Sequence, residues 1–594
     1  GNDSMAKRKN VKPNFRQDIR QDSKQDHPEL LEPPIQTPST GLRTKSKPWL
    51  AIAAAIAVAL FFIIYVMRLD KVVGMFQDDA WYALLGKALA TGQGYTLINS
   101  PTSGILPLYP PAFSFLLSLA FRIAPQFPQN LWLLKSVSIV AMLLAGVACY
   151  YYFARYRNLP KYLALAIAAI VAINPGLVFL ATSSLMSECV FTLAQMAALV
   201  AVERCVAARD GERFWLFALL AAGAASWAFL TRSMAAGLIL AALVYLLKER
   251  LFKSAVVFAV GVALMAGSWT LYSRAKAPTP EQRAEINSYI VRPYTEQFWD
   301  RVAGHESAGK ISPGDLPGRI WNNISSIAAS DLGGIVTPSF FPSLNQGMAE
   351  RGDLVQLFSS LIVFGLIIAG FVVAVRERLT YAELALPLSL LIILIWPFPP
   401  YRFLIPSLPL LLYYFLLGCK LMFGLHLRLT QTKQTKQTGN IWVAVTVVAG
   451  LLFVLSLYGN FSYLSRKNTA VAAQRPKWMR IFDDNEAVMK WTAENVPKSD
   501  AIATANPALV HLYTGNKTTT FDNPAGNWDR WNRLGVRYLV TISPTRMPEP
   551  DPIESRFRVI HRAGGELNLR VTDFGPVQSR PGWGIAAPTS IRLN

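Results

Sequence analysis

The sequence predicts an α-helical polytopic membrane protein with a small C-terminal α/β domain, and three observations predict it. Of 594 residues, 52% are hydrophobic and only 16% charged, where soluble domains carry about 25% charged residues. Apolar runs near the roughly 20 residues that cross a bilayer recur between residues 49 and 459. Beyond residue 460 the pattern changes to short helical and extended stretches in alternation, as in a small α/β unit. Cys149, Cys189, Cys205 and Cys419 all lie inside apolar runs, without CxxC or Cys/His spacing. Neither a disulfide framework nor a zinc site is expected from them.

Residues 1–48 combine ten basic and six acidic side chains with Pro33, Pro34 and Pro38 and few large apolar groups, a composition that stays disordered; they are expected in the cytoplasm. The first span, 49–67, carries no charge and follows Arg43, Lys45 and Lys47, so it should run from inside to outside. Further spans are expected at 131–153, 162–180, 188–207, 214–230, 233–247, 254–272, 357–375, 381–396, 403–424 and 441–459. Threaded alternately, these put the loops 154–161, 203–213, 248–253, 376–378 and 420–436 inside, with fifteen Lys or Arg between them. The short outer turns at 181–187, 231–232 and 397–402 hold only Arg232 and Arg402. That asymmetry obeys the positive-inside rule and accounts for the net charge of +21 without nucleic-acid binding. Residues 109–124 are apolar but short, opened by Pro110 and Pro111; a crossing there would invert every later loop, so a juxtamembrane or re-entrant helix is expected.

Outer loops then cover 68–130 and 273–356, and 460–594 forms an extracytoplasmic α/β domain. Helices are expected in it at 483–495 and 507–514, and strands at 501–504, 536–542 and 557–561. No period of 20 to 50 residues recurs, which argues against a solenoid.

The first outer loop opens with Phe76-Gln77-Asp78-Asp79-Ala80-Trp81-Tyr82. Two carboxylates at a helix start are favoured by the helix dipole, and either could simply be the N-cap. Placed beside a membrane surface among aromatic residues, they could instead serve as a general base toward an acceptor hydroxyl or amine. Glu188 begins an apolar span at the outer face; it is a cap or anchor, or a functional acid of the kind found at membrane boundaries. Arg232 and Arg402 are snorkelling arginines, or guanidinium forks for a lipid phosphate.

These residues carry a resemblance. An inside-to-outside first helix is followed by Asp78-Asp79-x-x-Tyr82, by Leu89-x-x-Gly92-x-Gly94-Tyr95 and by Tyr109-Pro110-Pro111. A second outer acid follows at Glu188, and then a late Tyr401-Arg402-Phe403-Leu404-x-Pro406-x-x-Pro409 run. Over about residues 49–460 the chain resembles the GT-C superfamily of integral membrane glycosyltransferases. It is most similar to bacterial relatives of protein O-mannosyltransferases, lipid A aminoarabinose transferases and lipopolysaccharide galacturonic acid transferases.

The resemblance implies transfer of a sugar from a polyprenyl-phosphate donor to a lipid, glycan or protein acceptor, with inversion, on the outer face of the bacterial cytoplasmic membrane. It matches Asp78 to the family's first-loop acid, with Asp79 and Tyr82 in the companion positions and Glu188 as the acid of the second outer loop; the expected catalytic residues are Asp78, Asp79 and Glu188, and the expected substrate-binding residues Tyr82, Arg232, Tyr401 and Arg402. No cofactor is assigned, although the carboxylates could hold a divalent cation through oxygen. Tyr109 stands where aminoarabinose transferases tend to have Lys, and no Trp-Trp-Asp signature of oligosaccharyltransferases is present. The alternatives are a transporter or flippase of lipid-linked sugars, for which Asn174-Pro175-Gly176 is the one break within a span, and a polysaccharide polymerase or ligase of the same fold.

Overall fold

A computed structural model describes residues 48–577 except 210, 287, 339–353, 431–436 and 522–523. The expectation of disorder for 1–47 lies outside the described residues, as do Lys433 and Lys436 of the 420–436 loop. Every one of the eleven apolar runs is helical. Seven described helices are long and apolar enough to cross a bilayer, and Lys161–Ile173 with Pro175–Thr182, bent by 42° at the break, makes an eighth. The break has a local cause. Pro175 cannot donate a backbone hydrogen bond, and Asn174 starts a new helix there, its side chain accepting from the Gly176 and Leu177 amides.

Helix Leu354–Glu377 crosses helix Leu408–Thr430 at very short range. A Cβ at Gly370 would stand 1.8 Å from the Tyr414 carbonyl oxygen, and one at Gly418 only 2.0 Å from that of Leu366. Small residues that let backbones touch are a principal means of helix association where water supplies no drive.

Helix Ala112–Ile123 has 12 residues and so rises about 18 Å, short of a hydrocarbon core of roughly 30 Å. Phe113, Leu117 and Phe121 are buried while Phe115, Leu119 and Ile123 are exposed. Its buried face meets helix Asp78–Ala90, where Gly86 leaves room for Leu117.

The C-terminal region holds a five-stranded sheet of order β4-β3-β5-β7-β6, with β3 Ala501–Thr504, β4 Thr518–Thr520, β5 Val536–Val540, β6 Arg558–Ala563 and β7 Leu569–Asp573. β3 pairs in parallel with β4 and β5, and β7 lies antiparallel between β5 and β6. Helix Pro507–Thr514 is fixed at both ends. The Asn506 side chain accepts from the Leu509 amide, Pro507 takes the first turn, and Gly515 closes it at φ 77°, the N-terminal Pro and C-terminal Gly arrangement.

This region holds the 68–130 loop in place. Asn506 donates to the Gly74 carbonyl at 3.1 Å, the Thr518 amide donates to Asn99 O at 2.7 Å, and Lys71 pairs with Asp483 and Glu486. The 273–356 loop, expected only as a loop, contains helices and the two-stranded hairpin β1 Asp300–Val302 and β2 His305–Lys310. It is tied to the sheet by Thr520 Oγ1 donating to Ile286 O, and to the 68–130 loop by the Leu108 amide donating to Ile290 O. The last apolar helix runs Gln437–Lys467, so the chain leaves it beyond the expected boundary at 459.

Candidate active site

Helix Asp78–Ala90 begins with Gln77 as N-cap at φ 59°, and no side chain caps it. Neither carboxylate is therefore the cap that a helix-start acid suggests. Successive residues on a helix diverge by about 100°, and the two acids separate accordingly. Asp79 is fully buried and turns back on its own segment, accepting from the Gly74 amide at 2.7 Å and the Ala80 amide at 3.1 Å. Burial pushes its carboxyl up to about 6, with the Gly74 N–H pulling the other way.

Asp78 faces a cavity of about 670 Å3. Its Oδ1 accepts from the hydroxyls of Tyr109 at 2.5 Å and Tyr289 at 2.6 Å, and its Oδ2 from Arg402 Nη2 at 3.1 Å. Burial, followed by the negative charge of Asp78, holds both tyrosine hydroxyls well above their usual range, so they stay protonated and act as donors. The Asp78 and Arg402 side chains keep 23% and 25% of their surface exposed, so the pair is open to a ligand.

Arg402 also reaches Glu188, Nε to Oε1 at 3.2 Å, and stands over the Phe76 ring at 4.6 Å. Arg232 pairs with the same Glu188 oxygen at 3.1 Å, donates to Ser187 Oγ at 3.1 Å, and lies 5.0 Å over the Phe403 ring. Glu188 itself is fully buried behind the two guanidiniums, and its Oε2 has no hydrogen-bond partner among the described residues. Two acids and two arginines thus form one chain of contacts, Asp78 to Arg402 to Glu188 to Arg232, in which both arginines line the cavity.

Tyr82 and Tyr401 line the same cavity. Tyr82 OH lies 3.3 Å from Ser187 Oγ, and its ring packs 5.2 Å from Tyr109 and 5.1 Å from Phe113. Tyr401 OH donates to Gly334 O at 3.5 Å. Five of the seven residues singled out in the sequence therefore line one cavity, Glu188 stands behind it, and Asp79 turns away. Trp299, Arg319 and Trp321 of the 273–356 loop are not among the lining residues. Arg319 instead donates to the backbone at Phe298 and Asp300, and Trp321 is 68% exposed.

The sequence did not single out Tyr289, 211 residues from Asp78, or Asp331, both of which line the cavity. Tyr289 sits in a short polar stretch with no periodicity to mark it. Tyr109 was visible in the Tyr-Pro-Pro motif but had no role until its hydroxyl was placed on Asp78.

A cation shared by the carboxylates does not fit this arrangement. Arg402 occupies the position between Asp78 and Glu188, and among the described residues no three His, Cys, Asp or Glu side chains group to hold a metal ion.

Residues 109–271 match the family model described as dolichyl-phosphate-mannose-protein mannosyltransferase. The matched segment contains Tyr109, Glu188 and Arg232 but neither Asp78 nor Arg402. No curated protein sequence matches the chain significantly. Among solved structures it is similar to ArnT from Cupriavidus metallidurans in the apo state, with TM-score 0.52, 12% identity, and coverage of 88% of this chain and 98% of that one. ArnT bound to undecaprenyl phosphate gives TM-score 0.51 and 13% identity over 89% and 98% of the two chains. The archaeal oligosaccharyltransferase AglB from Archaeoglobus fulgidus gives TM-score 0.49 and 12% identity over 83% and 70%. The chain is thus similar in fold to ArnT over most of both chains, and its match to the mannosyltransferase family model is confined to residues 109–271.

Proposed function

We propose that the protein transfers a sugar from a polyprenyl-phosphate donor to an acceptor hydroxyl on the outer face of a bacterial cytoplasmic membrane, with inversion at the anomeric carbon. The observation that carries this proposal is the Asp78–Arg402 contact at 3.1 Å in the wall of a cavity that a second arginine also lines. The ArnT structure holding undecaprenyl phosphate supports the donor class, and the asymmetry of basic loops supports the outer face.

Before the donor arrives, Arg402 is neutralised by Asp78 and Glu188. An incoming donor phosphate competes for the guanidinium and frees Asp78 Oδ2. The acceptor hydroxyl then attacks the anomeric carbon from the face opposite the phosphate, the bond from carbon to phosphate oxygen breaks, and the acceptor proton passes to Asp78. Proton uptake cancels the Asp78 charge as negative charge grows on the leaving polyprenyl phosphate. Arg402 and Arg232 then face that phosphate with only Glu188 competing, which is electrostatic stabilisation of developing charge. Tyr109 and Tyr289 orient the carboxylate, and Glu188 positions both guanidiniums.

The test is donor-dependent transfer in proteoliposomes. Purified protein with undecaprenyl phosphoryl sugars and cell-envelope acceptor lipids is expected to yield a glycosylated acceptor together with free undecaprenyl phosphate. Translocation of the donor across the bilayer without bond cleavage would contradict the proposal in favour of a flippase. Chain extension from a donor carrying an oligosaccharide, with none from single-sugar donors, would favour a polymerase.

A further inference from the structure

The lining of the cavity carries side chains of opposite hydrogen-bonding character. Arg402 and Arg232 offer donors only, which suits a phosphate. Asp331, Ser326 and Ser330 line the same cavity and bring acceptors to it. Asp331 closes a five-residue π-helix, Ile327–Asp331, that continues helix Leu316–Ser326, and such single-turn widenings recur at functional sites.

The Asp331 side chain is a built feature of this lining. The residue is only 7% exposed, Oδ2 accepts from Ser326 Oγ at 3.0 Å, and Ser330 Oγ, whose one proton has a nearer acceptor in the Ser326 carbonyl at 3.1 Å, lies 3.4 Å from Oδ1. Among the described residues no Lys, Arg or His pairs with it, and burial raises its carboxyl to about 6. A carboxylate offers about four acceptor positions, so at least two remain beyond the serine hydroxyls. The serine oxygens, with their protons on Asp331 and on the Ser326 carbonyl, can also accept. A buried carboxylate without a cation is costly, and an occupant that brings N–H or O–H groups offsets that cost.

Resting on the proposed function, we infer that Asp331, Ser326 and Ser330 form the subsite that reads the donor's sugar ring, selecting neutral sugars through their hydroxyl donors and excluding uronic acids. A sugar joined to a phosphate held by the arginines lies in the same cavity as these acceptors. A sugar carboxylate brought against Asp331 would meet a like charge in a partly desolvated site and would be rejected.

The experiment measures the affinity of the detergent-solubilised full chain for four probes: bare undecaprenyl phosphate and its glucosyl, mannosyl and galacturonosyl phosphodiesters. The parent is expected to bind at least one neutral-sugar lipid about tenfold more tightly than the bare lipid, the scale of a hydrogen bond to a charged group, and the galacturonosyl lipid no more tightly than the bare one. Asp331→Asn should erase the neutral-sugar advantage and raise galacturonosyl affinity relative to the parent, while bare-lipid affinity stays within about twofold. Ser330→Ala, a smaller change at the same subsite, should lose part of the neutral-sugar advantage and keep the fold should Asp331→Asn lose it. A parent that binds the neutral-sugar lipids no better than the bare lipid, or variants that keep its preferences unchanged, would overturn the inference. Failure of the parent to bind even bare undecaprenyl phosphate would instead remove the proposed function on which the inference rests.

Discussion

Two acids of the 68–130 loop, eight positions apart, meet a basic side chain from a distant part of the sequence, and their surroundings could hardly differ more. Asp70 pairs with Lys135 at 3.2 Å with 2% and 0% of the two side chains exposed. Every donor of the lysine is used, on the Asp70 carboxylate, the Asp70 carbonyl and the Thr182 carbonyl. The carboxylate also accepts from the Val72 amide, Ser183 Oγ and Tyr463 OH. Asp78 pairs with Arg402 at a similar distance, yet each keeps about a quarter of its side-chain surface exposed, and its three hydrogen bonds from distant residues all come from side chains. A saturated, sealed pair holds elements together. An open pair with exchangeable donors can trade one partner for a ligand.

The largest expected difference is in transfer rate. Asp78→Asn should lose about two to four orders of magnitude, the scale of general acid or base catalysis, with its thermal unfolding unchanged. Asp79→Asn should disturb stability rather than rate, because Asp79 touches only backbone amides of its own segment. A normal rate in Asp78→Asn together with a dead Asp79→Asn would reverse the assignment.

Next comes the sealed pair. Lys135→Met leaves Asp70 buried without its cation and is expected to destabilise the protein by about 3 to 5 kcal/mol, read by thermal or denaturant unfolding in detergent. Unchanged unfolding would mean that the Asp70 cluster is as open as that of Asp78. Smaller is the effect at Arg402. Arg402→Ala should weaken polyprenyl-phosphate binding by about a hundredfold and Arg402→Lys by about tenfold, since lysine keeps the charge but loses the planar fork. Equal binding by both variants and the parent would make Arg402 a structural anchor like Lys135. Smallest is Tyr289→Phe, which removes one of three donors to Asp78 and should change the transfer rate by about fivefold, the scale of one net hydrogen bond.

The same comparison explains what the sequence made legible. Apolar runs mark the eleven expected spans because the membrane demands length and hydrophobicity, and the strand 501–504 and helix 507–514 are readable because Asn506, Pro507 and Gly515 punctuate them. The three-threonine strand β4 and the strand β7 gave no comparable signal, being held by neighbours distant in sequence. Helix Pro524–Arg533 is too polar to stand out from a loop. Arg232, Arg402 and Glu188 could be singled out because charge is rare at their positions, while adjacent Asp78 and Asp79 could not be told apart until the helix set their directions. Tyr289 and Asp331 come from a loop whose course is fixed by tertiary contacts, so nothing local announces them. Asp70 and Lys135, by contrast, are ordinary flanking charges in sequence and become a buried lock only in the fold.

The most direct test of the central claim is a structure of Asp78→Asn, slowed in transfer, with an undecaprenyl phosphoryl sugar bound. The account predicts the donor phosphate within hydrogen-bonding distance of the Arg402 guanidinium, with the anomeric carbon open to the side chain at position 78. A donor phosphate lodged elsewhere, with Arg402 still on Glu188 and no contact to the lipid, would contradict it.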